Sequence, residues 1–287
     1  MKKEYSFAAV SIFFWSTLAA TAKLLLEEFN NVQVLCMSSL LAGLALLVFN
    51  IVTGKLKTYK DYRIKDYLII ALIGFPGTFL YYVFYYAGAE RLLASQAFII
   101  NYMWPIMSVV FACIILKEQM TAKKAVAIVL SFLGVALVTG GGLLSFNKEM
   151  LLGAVLCLSG AVAYGLFTSL NQKMNYDKCI SMMVNFFVAF ILAGIIIAFK
   201  EELFVPNFVQ LLGFAWNGIF TMAIANTMWF LALEHGNTAK ISNLAYITPF
   251  LSLIWTSLLL KEALSFHSVI GLLVIVGGIF IQLKEKN

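Results

Sequence analysis

Asn101-Tyr102-Met103-Trp104-Pro105 sets an amide, a phenol, an indole and a proline inside an apolar run from about Leu92 to Leu116. Aromatic rings stack on planar solutes while their polar tips hydrogen-bond. The proline removes one backbone hydrogen bond and bends a helix. Lipid tolerates the freed carbonyl only where neighbouring helices or a water-filled cavity satisfy it, so this stretch is expected to face protein or a cavity. Asn101, Trp104, Pro105 and Ser108 fall on one helical arc, and Asn243, Tyr246, Pro249 and Thr256 fall on a comparable arc later in the chain.

A third group, Gly74, Thr78, Tyr81, Tyr85 and Gly88, makes a stripe at helical spacing with Tyr82 and Tyr86 beside it. Tyr81 and Tyr85 are expected to line a cavity, whereas Tyr86, nearer the helix end, reads as an interfacial aromatic. The later counterpart of this stripe is Gly218, Met222, Ala225, Trp229 and Ala232, with Asn226 and Thr227 adjacent, so the cavity is expected to be aromatic on one wall. Trp15 and Tyr164 occupy loosely equivalent places with small residues a turn away (Ala19; Gly160 and Ala161), which serve close helix packing equally well.

Other chemistry is poorly served. Cys36, Cys113, Cys157 and Cys179 lie too far apart for a zinc site or a disulfide framework. No histidine pairs with a carboxylate at depth: His235-Gly236-Asn237 reads as a helix cap, and His267 stands apart from any carboxylate run. The chain is therefore expected to be no enzyme and to use neither metal nor cofactor. Of 14 acids none falls mid-span; Glu90, Glu118, Glu234 and Glu262 all sit at helix ends. Ion-driven carriers keep a buried carboxylate or histidine for coupling, so an uncoupled carrier is expected. Lys23 is the one charge well inside a run, and it either snorkels to the interface or holds a substrate carboxylate.

The elements that must position these residues follow from composition. Of 287 residues 62% are hydrophobic and 12% charged, where a soluble domain carries about 25% charged. Apolar runs predict ten spans near 5–26, 32–53, 67–88, 92–115, 124–142, 150–172, 179–199, 208–233, 238–259 and 266–283. Lys2-Lys3, an apolar run and Ala20-Thr21-Ala22 imitate a secretory signal, but the run is too long for one and further spans follow, so it is read as the first span. With both termini cytoplasmic, fifteen Lys and Arg lie inside and only Arg91, Lys148, Lys200 and Lys261 outside, which predicts that orientation in the cell (inner) membrane. The net charge of +6 is scattered over short loops, which argues against nucleic acid.

A shift of 144 residues aligns Gly74 with Gly218, Glu90 with Glu234, Tyr102 with Tyr246, Pro105 with Pro249, Lys117-Glu118 with Lys261-Glu262 and Gly134 with Gly278. Two repeats of five spans follow, over 1–142 and 149–287. Because five is odd, the halves insert in opposite senses. Inverted repeats are the architecture of alternating-access transporters, with the site between the halves near the midplane. Gly134, Gly140-Gly141-Gly142, Gly271 and Gly277-Gly278 mark the fifth and tenth spans as close-packing helices, for a homodimer or for the fold of a monomer. A membrane scaffold is the competing reading, and it predicts no polar cavity.

The ten spans, the inverted repeats and the Lys-Glu closing each fourth helix resemble the EamA repeats of the drug/metabolite transporter superfamily over essentially the whole chain. More narrowly, Phe14-Trp15-Ser16-Thr17, Asn101-Tyr102-Met103-Trp104-Pro105, His235-Gly236-Asn237 and Thr248-Pro249 look like the motifs of its bacterial exporters of aromatic amino acids. The two Lys-Glu pairs belong to the superfamily at large rather than to those exporters. The resemblance implies an all-α membrane protein exporting amphipathic metabolites, with Tyr102 and Trp104 carried over as pocket residues. The candidate substrate contacts are then Trp15, Thr78, Tyr81, Tyr82, Tyr85, Asn101, Tyr102, Trp104, Tyr164, Trp229, Asn243 and Tyr246, with Pro105 and Pro249 as hinges. The expected partners are a small-molecule substrate (amino acids, or alternatively purines and cationic drugs) and membrane lipid.

Overall fold

The computed structural model describes residues 3–55, 62–117, 119–140, 148–200, 202–235, 241 and 244–283. Among these the chain forms ten helical rods: α1 (Lys3–Leu26), α2 (Asn31–Val52), α3 (Ile64–Ala89), α4 (Ala94–Ile115), α5 (Ala122–Gly140), α6 (Lys148–Gln172), α7 (Lys178–Lys200), α8 (Phe208–Leu233), α9 (Ala245–Leu260) and α10 (Phe266–Leu283). α1 to α4 and α6 to α8 are long and apolar enough to cross a bilayer. The described ends, Lys3 and Leu283, fall at one end of the bundle, because ten alternating rods return the chain to its starting side.

The irregular stretches recur at matching places in the two halves. α3 widens into a π-helical stretch at Phe75–Leu80, where Pro76 supplies no backbone N–H. α8 does the same at Trp216–Ile224 without a proline; there the Thr221 hydroxyl donates to the Asn217 carbonyl, and Asn226 Nδ2 donates to the Met222 carbonyl at 2.6 Å. α4 breaks after Asn101 and restarts at Trp104, with Pro105 in its first turn. α9 opens as a short 3₁₀ turn, Ala245–Ile247, before its α-helix starts at Thr248-Pro249. Proline is well suited to such a first turn, where its missing N–H has no partner to lose. Lys117 and Lys261, the pair that closes each fourth helix, both take left-handed backbone with φ of 59° and 55°, a position glycine usually fills.

The halves do not sit side by side. α1 packs against α8 and α9, while α6 packs against α3 and α4, so each repeat lends its first helix to the other. The two closest rod pairs join equivalent helices: α2 runs along α7, and α5 along α10. The glycines make the last of these pairs close. A Cβ on Gly134 would lie 2.7 Å from the Gly271 carbonyl, one on Gly271 2.7 Å from the Gly134 carbonyl, and one on Gly278 3.0 Å from the Ala127 carbonyl. Those glycines thus serve a contact within the chain. Leu72, Val129 and Leu258 stay exposed on the rim, where lipid is their solvent.

Candidate functional site

At mid-depth six helices line a cavity of about 40 Å³. Its lining is Trp15 and Leu18 of α1, Tyr81 and Tyr82 of α3, Phe98, Asn101, Tyr102 and Trp104 of α4, Tyr164 of α6, Asn226 of α8 and Thr248 of α9. None of these side chains is charged at neutral pH.

The rings are held by one another and by a few hydrogen bonds. Tyr164 sits between Tyr81 (centroids 4.8 Å apart) and Trp104 (5.2 Å, planes at 83°), and its hydroxyl donates to Asn226 Oδ1 at 3.1 Å. Such pairs contribute about 0.5–1.5 kcal/mol beyond area burial and fix ring orientation. Asn101 Nδ2 donates to the Tyr81 hydroxyl at 2.9 Å. The Tyr102 hydroxyl donates to the Ala245 carbonyl, which ties the break in α4 to the start of α9. On α1, Ser16 Oγ accepts from the Trp255 indole at 3.0 Å and Thr17 Oγ1 from the Trp216 indole at 2.9 Å. Phe14 rests on Phe220 with centroids 5.1 Å apart, and Trp15 is left facing the cavity. Phe14-Trp15-Ser16-Thr17 therefore pins α1 to α8 and α9 and aims one indole inward.

Of the candidate contacts, Trp15, Tyr81, Tyr82, Asn101, Tyr102, Trp104 and Tyr164 come together on this lining. The others lie behind it. Thr78 donates back to the Gly74 carbonyl at 2.9 Å. Tyr85 stacks on Tyr81 one turn further along α3, its buried hydroxyl without a hydrogen-bond partner among the described residues. Trp229 backs Trp15 at 5.2 Å, and Tyr246 lies between Tyr102 (6.5 Å) and Phe280 (5.4 Å). Asn243 lies outside the described residues. Pro105 and Pro249 open their helices as described. Leu18, Phe98, Asn226 and Thr248 complete the lining and are not among the candidates. Asn226 and Thr248 stand 144 residues after Tyr82 and Trp104, so shifting the candidates themselves by the repeat length finds both. Leu18 and Phe98 lie one helical turn from Trp15 and Tyr102, a signal that periodicity carries.

Two expectations are corrected. Tyr86 is fully buried rather than interfacial: its hydroxyl accepts from Asn217 Nδ2 at 2.8 Å, a partner from the other half that lets a phenol sit deep. Lys23 does not line the cavity that would hold a substrate carboxylate. Its ammonium donates to the carbonyls of Ala89 (2.6 Å) and Leu92 (2.8 Å) at the C-terminus of α3, where the helix dipole favours a cation. On the same turn the Glu262 carboxylate accepts from the Ala94 and Ser95 amides (2.6 and 3.0 Å) and from Ser95 Oγ (2.7 Å) at the N-terminus of α4. With Arg91–Glu149 at 3.2 Å and Asn30–Glu202 at 2.8 Å, these ties close the end of the bundle away from the termini.

The comparisons with known proteins agree with this architecture. The family model of EamA-like transporters matches twice, at residues 2–140 and 151–283. An uncharacterized transporter of Archaeoglobus fulgidus is 22% identical over 99% of this chain and 100% of its own length. The uncharacterized transporter YvbV of Bacillus subtilis is 25% identical, covering 78% of this chain and 75% of YvbV. The aromatic amino acid exporter YddG of Escherichia coli is 24% identical over 94% of this chain and 92% of that protein. A protein crystal structure shares the fold with a TM-score of 0.70 at 19% identity, covering 97% of this chain and 96% of that one. Two family matches laid along two exchanged five-helix halves make this chain a member of the EamA-like transporter family, a multi-pass membrane transporter.

Proposed function

We propose that the protein exports amphipathic metabolites, aromatic or other amino acids, by alternating access, with both termini in the cytoplasm. The observation that carries the substrate class is the lining: uncharged, mostly aromatic, at mid-depth, with the Asn101 amide on its wall. Sites of this kind bind by apolar contact and use a few polar groups for orientation. The name of the Escherichia coli relative supports the same class. In the sequence, fifteen of the 20 Lys and Arg residues fall in segments assigned to the terminal side and five, Lys23 among them, on the other, which supports the orientation.

Alternating access rests on the exchanged helices. α1, α8 and α9 make one packed body and α3, α4 and α6 another, and the cavity lies between them. Sliding of one body past the other opens one mouth while the Lys23 and Glu262 ties keep the other shut. Export runs down the solute's own gradient, without an ion.

A thermal-shift screen of the purified protein against amino acids, purines and cationic dyes tests the substrate class, since a ligand at a hundredfold its dissociation constant stabilises by about 2.7 kcal/mol. Amino acids should shift the transition, and a shift by dyes or purines alone would move the assignment to those classes. In proteoliposomes an imposed pH or sodium gradient should leave flux unchanged; uphill accumulation driven by either would reveal a coupling site.

A further inference from the structure

We infer that the π-helical stretches of α3 and α8 are paired two-state pivots, one lengthening as the other shortens, and that they turn the cavity wall as the mouths exchange. This rests on the alternating-access reading, and it names the backbone parts that change.

A π turn is closed by a hydrogen bond five residues back instead of four, so it holds more residues than an α turn, and such turns are rare outside functional sites. Here the same bond occurs twice. The Tyr81 amide returns to the Pro76 carbonyl in α3 and the Ala225 amide to the Phe220 carbonyl in α8, donors and acceptors each standing 144 residues apart. Pro76 is not the shared cause, since Phe220 occupies its place in the second half. The shared feature is position. The next residues along, Tyr82 and Asn226, are again 144 apart, and both line the cavity. Both wide turns also press on the α2 and α7 pair at equivalent glycines: a Cβ on Gly74 would lie 2.0 Å from the Asn185 side chain of α7, and one on Gly218 2.3 Å from the Ser38 carbonyl of α2.

The two stretches differ in length. That of α3 covers six residues, Phe75–Leu80, and that of α8 nine, Trp216–Ile224; they end at equivalent residues, and the second begins at the counterpart of Leu72. In a carrier built from inverted repeats, the halves hold different conformations in any one state and exchange them in the other. The difference in length between equivalent stretches is therefore the part to be exchanged. In the opposite state the stretch of α3 covers 72–80 and that of α8 219–224. Adding residues to a wide turn unwinds the helix and rotates its two ends against each other, which turns Tyr81 and Tyr82 on one wall and Asn226 on the other. The longer stretch of α8 has its own support: the Thr221 hydroxyl donates to the Asn217 carbonyl, whereas the counterpart of Thr221 in α3 is Gly77.

The test follows both mouths by spin-label distances in the full-length protein in lipid vesicles, with the half-exposed Cys113 replaced (Cys113→Ser). Labels on Leu93→Cys and Leu264→Cys span the end tied by Lys23, and labels on Lys173→Cys and His235→Cys span the terminal end, all four positions being exposed. The protein should show two distances at each mouth. Thr221→Val removes a hydrogen bond of the longer stretch and should move the balance about two- to tenfold toward the state in which the end tied by Lys23 is open. Thr221→Ser, which keeps the hydroxyl, should retain the original balance. Deletion of Ile224, or separately of Leu80, takes a residue out of the wide turn so that the helix closes as a plain α-helix, and should leave one distance per mouth. Two distances persisting in both deletions, or an unchanged balance in Thr221→Val, overturns the inference and leaves alternating access standing. Should a deletion not fold, the two Thr221 variants decide alone. A single distance at each mouth of the otherwise unaltered protein overturns alternating access and this inference with it.

Discussion

The two repeats carry nearly the same backbone and very different side chains. Both have a π-helical stretch in the third helix, a proline one residue into the restarted fourth helix, a left-handed lysine at its end and a glycine in the fifth. At the cavity, however, the first repeat supplies Trp15, Leu18, Tyr81, Tyr82, Phe98, Asn101, Tyr102 and Trp104, while the second supplies Tyr164, Asn226 and Thr248. On the proposed function, what moves is duplicated and what binds is not. Two exchangeable conformations need matched hinges, but a solute with one aromatic end and one polar end needs an uneven wall.

Loss of the motion should have the largest effect. Cysteines placed at Lys23 and Leu92 and joined by a bifunctional thiol reagent should stop transport, with recovery when a reducible reagent is cleaved. Full flux in the cross-linked protein would show that the end tied by Lys23 does not open. The shared frame should be nearly as sensitive. Gly134→Val drives a side chain into the Gly271 carbonyl 2.7 Å from its Cβ, and about 3 kcal/mol of stability should be lost. Gly278→Val meets its carbonyl at 3.0 Å and should cost less; the order of the two unfolding temperatures checks whether the glycine pairs set that interface.

The uneven wall is probed by making it even. Trp104→Thr copies the residue that stands 144 positions later, Thr248. It should weaken binding of a planar substrate by about tenfold at normal expression, while Thr248→Ala should do less. Equal losses would mean that the asymmetry of the wall does not serve binding.

The smallest effect is expected at Glu90. Burial raises its carboxyl above the ordinary carboxylate value, against the pull of the Asn31 amide and Arg91. The folded chain therefore takes up this proton at higher pH than the unfolded chain. It gains stability from this residue as the pH falls through the folded value, with no further gain below the unfolded one. Glu90→Gln should flatten that slope in unfolding measured across weakly acidic pH.

The spans and the repeat were legible because lipid demands long apolar runs and because Pro105, Pro249 and the Lys-Glu pairs stand out against them. The breaks in α4 and α9 were legible for the same reason. The π-helical stretch of α8 was not: it leaves hydropathy unchanged, lacks the proline of α3, and depends on Asn226 and Thr221 turning back on their own helix. Tyr86 was misread, and the partners of Lys23 were missed, because Asn217 and the Ala89 and Leu92 carbonyls come from other helices that periodicity along one rod cannot see. The exchange of first helices was equally hidden, since α1 and α6 fall outside the 144-residue register.

That exchange sets an order of assembly. The Ser11 hydroxyl in α1 donates to the Ala225 carbonyl, 214 residues downstream, so at synthesis rates of 5–20 residues per second the first helix waits roughly 10–40 s for the rods that will enclose it. During that interval its hydroxyls have local acceptors: Ser11 reaches the Phe7 carbonyl at 3.2 Å, Ser16 that of Phe13 at 2.7 Å and Thr17 that of Phe14 at 2.8 Å. α1 can therefore stand alone in lipid with its polar groups satisfied, and later offer the oxygens of Ser16 and Thr17 to the indoles of Trp255 and Trp216 as α9 and α8 arrive. Neither half can close before the other is made, so a chain released after its fifth helix would leave α1 without its bundle and the quality-control machinery of the membrane with an unfinished protein.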